Sequence, residues 1–369
     1  CIRDRYLTAQ GNASGQNYAS WTFREQAKFF DVVTYTGNST ARTIAHNLDS
    51  VPGCIIVKAI DASGYNWTVY HQATGNTGRL NLNDTSAFTT TASAWNNTTP
   101  TSTVFSLGVS ADVNNSGTTY VAYLFAHNAG GFGLTGSDNV ISCGSASATG
   151  VTAVSLGYEP QFCMLKRSSS TGGWFMTDTM RGWNMQGDVD VRANVADAET
   201  DRTGSGWFPS ATGFTFDSAQ LSGSGDFIYI AIRRGPMKVP TDGTSVFSPV
   251  AYTGTGAAAT TTTGLVTDLA IIKSRGVYAP SFEDRLRGAN RVLESSGTGA
   301  EITTTQYVLG FDTQTGVRIG TDVGVNGSGT TYINWAMRRA PGYFDVVCYS
   351  GTGSATTFSH NLGVVPELM

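Results

Sequence analysis

The sequence predicts an all-β chain, a tandem array of antiparallel β-sandwiches of the jelly-roll or Ig-like kind, each about 105 residues long. Three observations carry that reading. Residues 326–351 (NGSGTTYINWAMRRAPGYFDVVCYSG) repeat residues 12–37 in order and in length, with weaker copies at 114–131 and 222–236. The ring residue opening the last strand of each copy is Tyr18, Tyr120, Phe227 and Tyr332, spaced by 102, 107 and 105 residues, a period of one small domain. Finally, 44 glycines and only 14% charged residues suit many short strands joined by tight turns.

Taken in order, residues 1–28 read as the closing strands of one repeat. Tyr18, Ser20 and Thr22 alternate with Ala19, Trp21 and Phe23, as on an edge or sheet-packed strand. The first complete unit spans 29–129, with strands expected at 30–35, 42–46, 54–60, 67–71, 79–83, 104–107 and 120–127. Gly, Asn, Asp, Ser and Pro separate them, at 36–38, 61–64, 75–76, 96–97 and 114–117, because these residues accept turn backbones or bond to them. The second unit, 130–240, repeats the scheme. Lys166 falls 108 residues after Lys58, and an extra acidic loop is expected at 188–201. The third, 241–341, has its first strand at 246–254 and a buried strand through Ile271, Ile272 and Lys273. A fourth begins at 342–369. The chain therefore reads as a piece of a longer protein. The joints at 24–28, 233–240 and 338–341 are short, so neighbours should pack semi-rigidly.

Composition narrows the function. A net charge of −4 without charge blocks offers no footprint for nucleic acid, and no apolar run approaches the ~18 residues that would insert in a membrane. Five cysteines, Cys1, Cys54, Cys143, Cys163 and Cys348, contain no CxxC pair and read as strand fillers; the repeat alignment sets Cys143 opposite Tyr35 and Tyr252. No phosphate loop, dinucleotide fingerprint, nucleophile elbow or zinc helix occurs, so no cofactor and no catalytic residue is expected. His46 and His360 share a repeat position, which holds Val154 in the second unit, and read as turn-adjacent hydrogen bonders. Asp178, Arg181 and Gly182 recur as Asp284, Arg287 and Gly288. In this Asp-x-x-Arg-Gly pattern the arginine can reach back to the aspartate while glycine takes a left-handed backbone: a turn staple. The acidic loop makes Asp188, Asp190 and Asp197 candidate calcium ligands, and paired carboxylates there would also suit glycoside hydrolysis. Trp95, Trp183 and Trp207 lie in loop-like surroundings and are candidate glycan contacts.

Residues 29–37, 44–58 and 115–123, with the Asp178–Gly182 motif and the run Tyr229-Ile230-Ala231-Ile232-Arg233-Arg234-Gly235-Pro236, resemble an uncharacterised repeat domain. That domain occurs in large virion proteins of marine tailed phages, usually called tail-fibre-like. The resemblance covers practically the whole chain and carries no known catalytic or receptor-binding residue. It implies a structural or adhesive segment of a virion appendage, located on the extracellular virion. Its expected partners are further copies of itself, other virion proteins and host surface glycans. Two other classes stay open. One is a bacterial surface adhesin, filament or carbohydrate-binding module; the other is a polysaccharide depolymerase using the acidic loop.

Overall fold

Strands form here where β-branched and aromatic residues alternate with small polar ones between turn-forming clusters. The computed structural model describes residue 14 and residues 18–369. Its first eight strands are β1 (Phe30–Thr36), β2 (Arg42–Ala45), β3 (Pro52–Ala59), β4 (Thr68–His71), β5 (Gly75–Asn81), β6 (Thr89–Thr90), β7 (Val104–Leu107) and β8 (Thr119–Ala126). The next nine are β9 (Ile141–Ala148), β10 (Val151–Ser155), β11 (Pro160–Arg167), β12 (Trp174–Asp178), β13 (Val189–Arg192), β14 (Thr200–Asp201), β15 (Trp207–Ser210), β16 (Gly213–Asp217) and β17 (Gly225–Arg233). The last nine are β18 (Phe247–Thr253), β19 (Ala259–Thr262), β20 (Leu269–Ser274), β21 (Ser281–Asp284), β22 (Arg291–Glu294), β23 (Ile302–Thr303), β24 (Val308–Gly310), β25 (Gly316–Ile319) and β26 (Thr331–Met337).

The same antiparallel topology occurs three times. Six-stranded sheets run β1-β8-β3-β4-β5-β6, β9-β17-β11-β12-β13-β14 and β18-β26-β20-β21-β22-β23. Opposite them lie β2-β7, β10-β16-β15 and β19-β25-β24. The first strand of each set pairs with the last, and the second pairs within the smaller sheet, a nested all-β sandwich. Lys58, Lys166 and Lys273 stand opposite Val121, Ile228 and Ile333, so the repeat step read from the sequence is also the structural step.

Buried tyrosines tie the sheets to the short helices between them. Tyr35 stacks on Tyr120 and Tyr252 on Tyr332, with ring centroids 5.4 and 5.2 Å apart. Tyr35 donates to Val113 O at 2.8 Å, and Tyr332 accepts from Gly327 N at 2.8 Å while donating to Val323 O. Asn114 and Asn326 complete each clasp, donating to Gly108 O at 2.8 Å and Gly320 O at 2.7 Å. The second sandwich lacks both hydroxyls, because Phe227 stands opposite Ala146. Ala146, and not Cys143, therefore occupies the register of Tyr35 and Tyr252; Cys143 lies opposite Ile230.

Two more expectations are corrected. Residues 18–23 form no strand; Trp21 instead donates to Asp178 Oδ2 at 3.1 Å and packs edge-on against Phe162. The rest of 1–17 apart from residue 14 lies outside the described residues, Cys1 included. The segment 188–201 is no extra loop either. It is the outer hairpin of the second sheet, with Val189 opposite Asp201, and has counterparts in β5-β6 and β22-β23.

The sandwiches meet in two chemically different ways. Phe162, Trp174, Ile228, Ile230 and Ile232 of the second share one hydrophobic cluster with the first. At ~1.5–3 kcal/mol for each large apolar side chain fully buried, this is core-like cohesion. Trp174 Nε1 donates to Asn81 O at 2.8 Å, and Lys166, fully buried, donates to Thr85 O at 3.0 Å. Burial pulls the Lys166 ammonium down to about 8. The third sandwich keeps its own smaller cluster and meets the second through polar contacts, among them Met185 N to Leu286 O at 2.8 Å and Arg291 to Gln186 Oε1 at 2.7 Å. Residues 342–369 carry no strand, but they repeat the opening turn of the first sandwich. Gly342 N reaches Leu362 O as Lys28 N reaches Leu48 O, and Asp345 accepts from Asn361 N as Asp31 does from Asn47 N.

Candidate functional site

The structure disperses most of the residues singled out from the sequence. Trp95, Trp183 and Trp207 are 1%, 1% and 0% exposed, so none presents a face on which a sugar could stack. Trp95 ends the capped helix Ala92–Trp95 and meets Tyr70 edge-on. Trp183 and Trp207 pack against each other and Phe214 within the second core. They are core residues whose glycine- and asparagine-rich flanks only look like surface loops.

The acidic residues do not converge on a calcium site. Calcium takes six to eight oxygens, and among the described residues no three His, Cys, Asp or Glu groups are placed to share an ion. Asp190 is buried and paired with Arg202 Nε at 2.5 Å, whereas Asp197 is exposed, 3.8 Å from Arg192. Asp188 Oδ1 accepts from Trp207 N at 2.8 Å, tying the hairpin to the core. Burial, more than the neighbouring Asp190, pushes its carboxyl up to about 7.

The two Asp-x-x-Arg-Gly motifs form one closed geometry. Asp178 accepts from Met180 N, Arg181 N and Arg181 Nε, at 3.0, 3.0 and 2.6 Å, and Arg181 also donates to Met176 O at 3.0 Å. Asp284, Arg287 and Phe282 O repeat it. Gly182 and Gly288 sit at φ +122° and +96°, where a Cβ would strain the turn. Glu199 and Glu301 each bind the outer edge of the arginine, pinning the β13-β14 and β22-β23 hairpins to the staple.

The histidines serve the backbone. His46 Nδ1 and His360 Nδ1 accept from Leu48 N and Leu362 N; in the third sandwich Thr263 Oγ1 accepts from Leu265 N in the same way. His71 bridges two sandwiches, its Nε2 3.1 Å from Tyr229 O while Nδ1 accepts from Ala73 N. Burial is the main reason its imidazole falls to about 4, against an ordinary 6.5. The unfolded chain thus binds this proton first as pH falls. Stability held above pH 6.5 is lost progressively down to about pH 4, by roughly 3 kcal/mol for this group. Thermal unfolding of the His71→Gln variant, which keeps a donor for Tyr229 O, should show a shallower slope than wild type across that window. Equal slopes would remove His71 as the cause.

What the sequence did not single out is a buried ionic junction between the second and third sandwiches and the segment after them. Arg339, 2% exposed, binds both oxygens of Glu159, at 2.8 and 2.6 Å, and gives Nε to Asp345 Oδ1 at 2.8 Å. Its backbone N–H reaches Asp268 Oδ2 at 2.8 Å, and Asp268 Oδ1 takes Arg285 Nε at 2.9 Å. Arg234 adds contacts to Glu159 and Asp345, at 3.3 and 3.2 Å. Burial alone would lower the Arg339 guanidinium pKa, but Glu159, Asp345 and Asp268 more than offset it, so the charge is held. Beside this network opens a polar cavity of about 240 Å³, lined among others by Arg234, Arg285, Arg338 and Arg339. The available signal was the Arg-Arg pair in each later joint, at 233–234 and 338–339.

Repeated sandwiches with stapled turns and a charged junction define a tandem all-β array. A family of proteins described as a domain of unknown function, DUF7483, matches residues 3–236 and 242–369. The chain belongs to that family. Comparison with curated proteins finds no match.

Proposed function

We propose that the chain is a structural and adhesive segment of an extended virion appendage of the tail-fibre kind. The observation that carries this reading is the repetition of one sandwich with built joints: a shared apolar cluster between the first and second, and a buried ionic network between the second and third. Such joints transmit orientation from unit to unit, as a spacing element needs, while shallow Ser-, Thr- and Asn-rich faces remain outside the cores. Repeated weak sites along such an array gain strength through effective concentration. The depolymerase alternative draws no support from the hairpin 188–201, since Asp188 and Asp190 are each 1% exposed.

Electron microscopy of purified particles, labelled with an antibody against residues 130–240, tests the reading. Label along a thin appendage is the expected result. Label confined to a bacterial envelope without phage would favour the adhesin, and a compact soluble particle that cleaves polysaccharide the depolymerase; either would overturn it.

A further inference from the structure

We propose that the cavity at the junction of the second and third sandwiches binds the carboxylate of an acidic sugar, of the uronic acid class. This deepens the adhesive reading above by giving it a ligand.

The argument begins with a charge count around about 240 Å³ of polar space. Four arginines line it, Arg234, Arg285, Arg338 and Arg339, against two acidic residues, Glu159 and Asp268. Those carboxylates are already occupied. Both oxygens of Glu159 are taken by Arg339, and those of Asp268 by Arg285 Nε and Arg339 N. Asp345, from the far side of the network, binds Arg339 and Arg234. The guanidiniums are not similarly exhausted. Arg285 keeps one N–H of Nη2 uncommitted, its other four going to Asp268, Thr267 O, Thr179 O and the Met180 sulfur. Half-buried Arg338 is anchored by its backbone N–H to Val246 O, and its guanidinium has no ion pair or hydrogen bond among the described residues. A planar fork with free N–H groups beside neutralised carboxylates is suited to a bidentate carboxylate from outside.

The rest of the lining selects the body of the ligand. Gln161 and Gln314 bring amides that both donate and accept, which suits hydroxyl groups better than an alkyl chain. The volume lies below the ~300–1,000 Å³ of drug-sized pockets, so the cavity takes one ring and not an extended chain.

Isothermal titration of the whole chain with glucuronate, glucose and acetate, in wild type and the Arg338→Gln variant, tests this. Glucuronate should saturate, glucose should not, and Arg338→Gln should weaken glucuronate binding about tenfold or more. Because the Arg338 guanidinium holds no internal partner, its denaturation midpoint should match wild type. Failure of glucuronate to saturate, or unchanged binding in the folded variant, overturns the site. Acetate binding as tightly as glucuronate overturns the sugar assignment. Saturation by glucuronate with no label on virion appendages would leave the site standing and remove the appendage reading; the opposite pair of results would do the reverse.

Discussion

Arg339→Ala is expected to destabilise the junction by about 3–5 kcal/mol, the scale for breaking a buried ion pair by removing one partner. Glu159 and Asp345 would then remain buried without the guanidinium that joins them, and Asp268 would feel the loss through the repositioned backbone N–H of residue 339. Urea unfolding should show the loss, together with faster proteolysis within 234–246. Arg339→Met combined with Glu159→Leu should recover part of it, since Glu159 is then no longer an unpaired buried charge and Asp345 keeps Arg234 at 3.2 Å. A wild-type unfolding midpoint for Arg339→Ala would show that the network does not hold the sandwiches together.

Trp207→Ala should cost a similar ~3–5 kcal/mol, for a different reason: it empties a large volume from a packed core. Its ring lies 6.0 Å from that of Trp183 and 6.3 Å from Phe214, and its backbone N–H holds Asp188. The denaturation midpoint checks this directly. A surface residue that merely stacked on sugars would leave that midpoint within about 0.5 kcal/mol of wild type, so the experiment separates a core tryptophan from a contact tryptophan.

Much of the architecture was legible because strand patterning and turn chemistry are local. The runs at 30–35, 104–107 and 120–127 became β1, β7 and β8 almost without change, and Tyr120, Phe227 and Tyr332 marked the repeat step. The turn staple was legible for the same reason, since Asp178 and Arg181 are three residues apart. Burial of Trp183 and Trp207 was not, because glycines at positive φ, Gly182, Gly204 and Gly206, give both the flanks of a surface loop. Nor could local pattern reveal the ionic junction, whose central pair, Arg339 and Glu159, is 180 residues apart. In the alignment, Cys143 was set three residues from the true register because its strand lacks the aromatic landmark that Tyr35 and Tyr252 supply.

The unlike joints also bear on how such arrays diversify. The first two sandwiches share a cluster in which Ile228, Ile230 and Ile232 face foreign side chains, so either one exchanged for a distant relative would meet a mismatched surface. The third is joined mainly through a few charged and polar side chains. Recombination between related chains that keep Arg339 and Glu159 should therefore be tolerated after the second sandwich and penalised after the first, making the first pair a single heritable block.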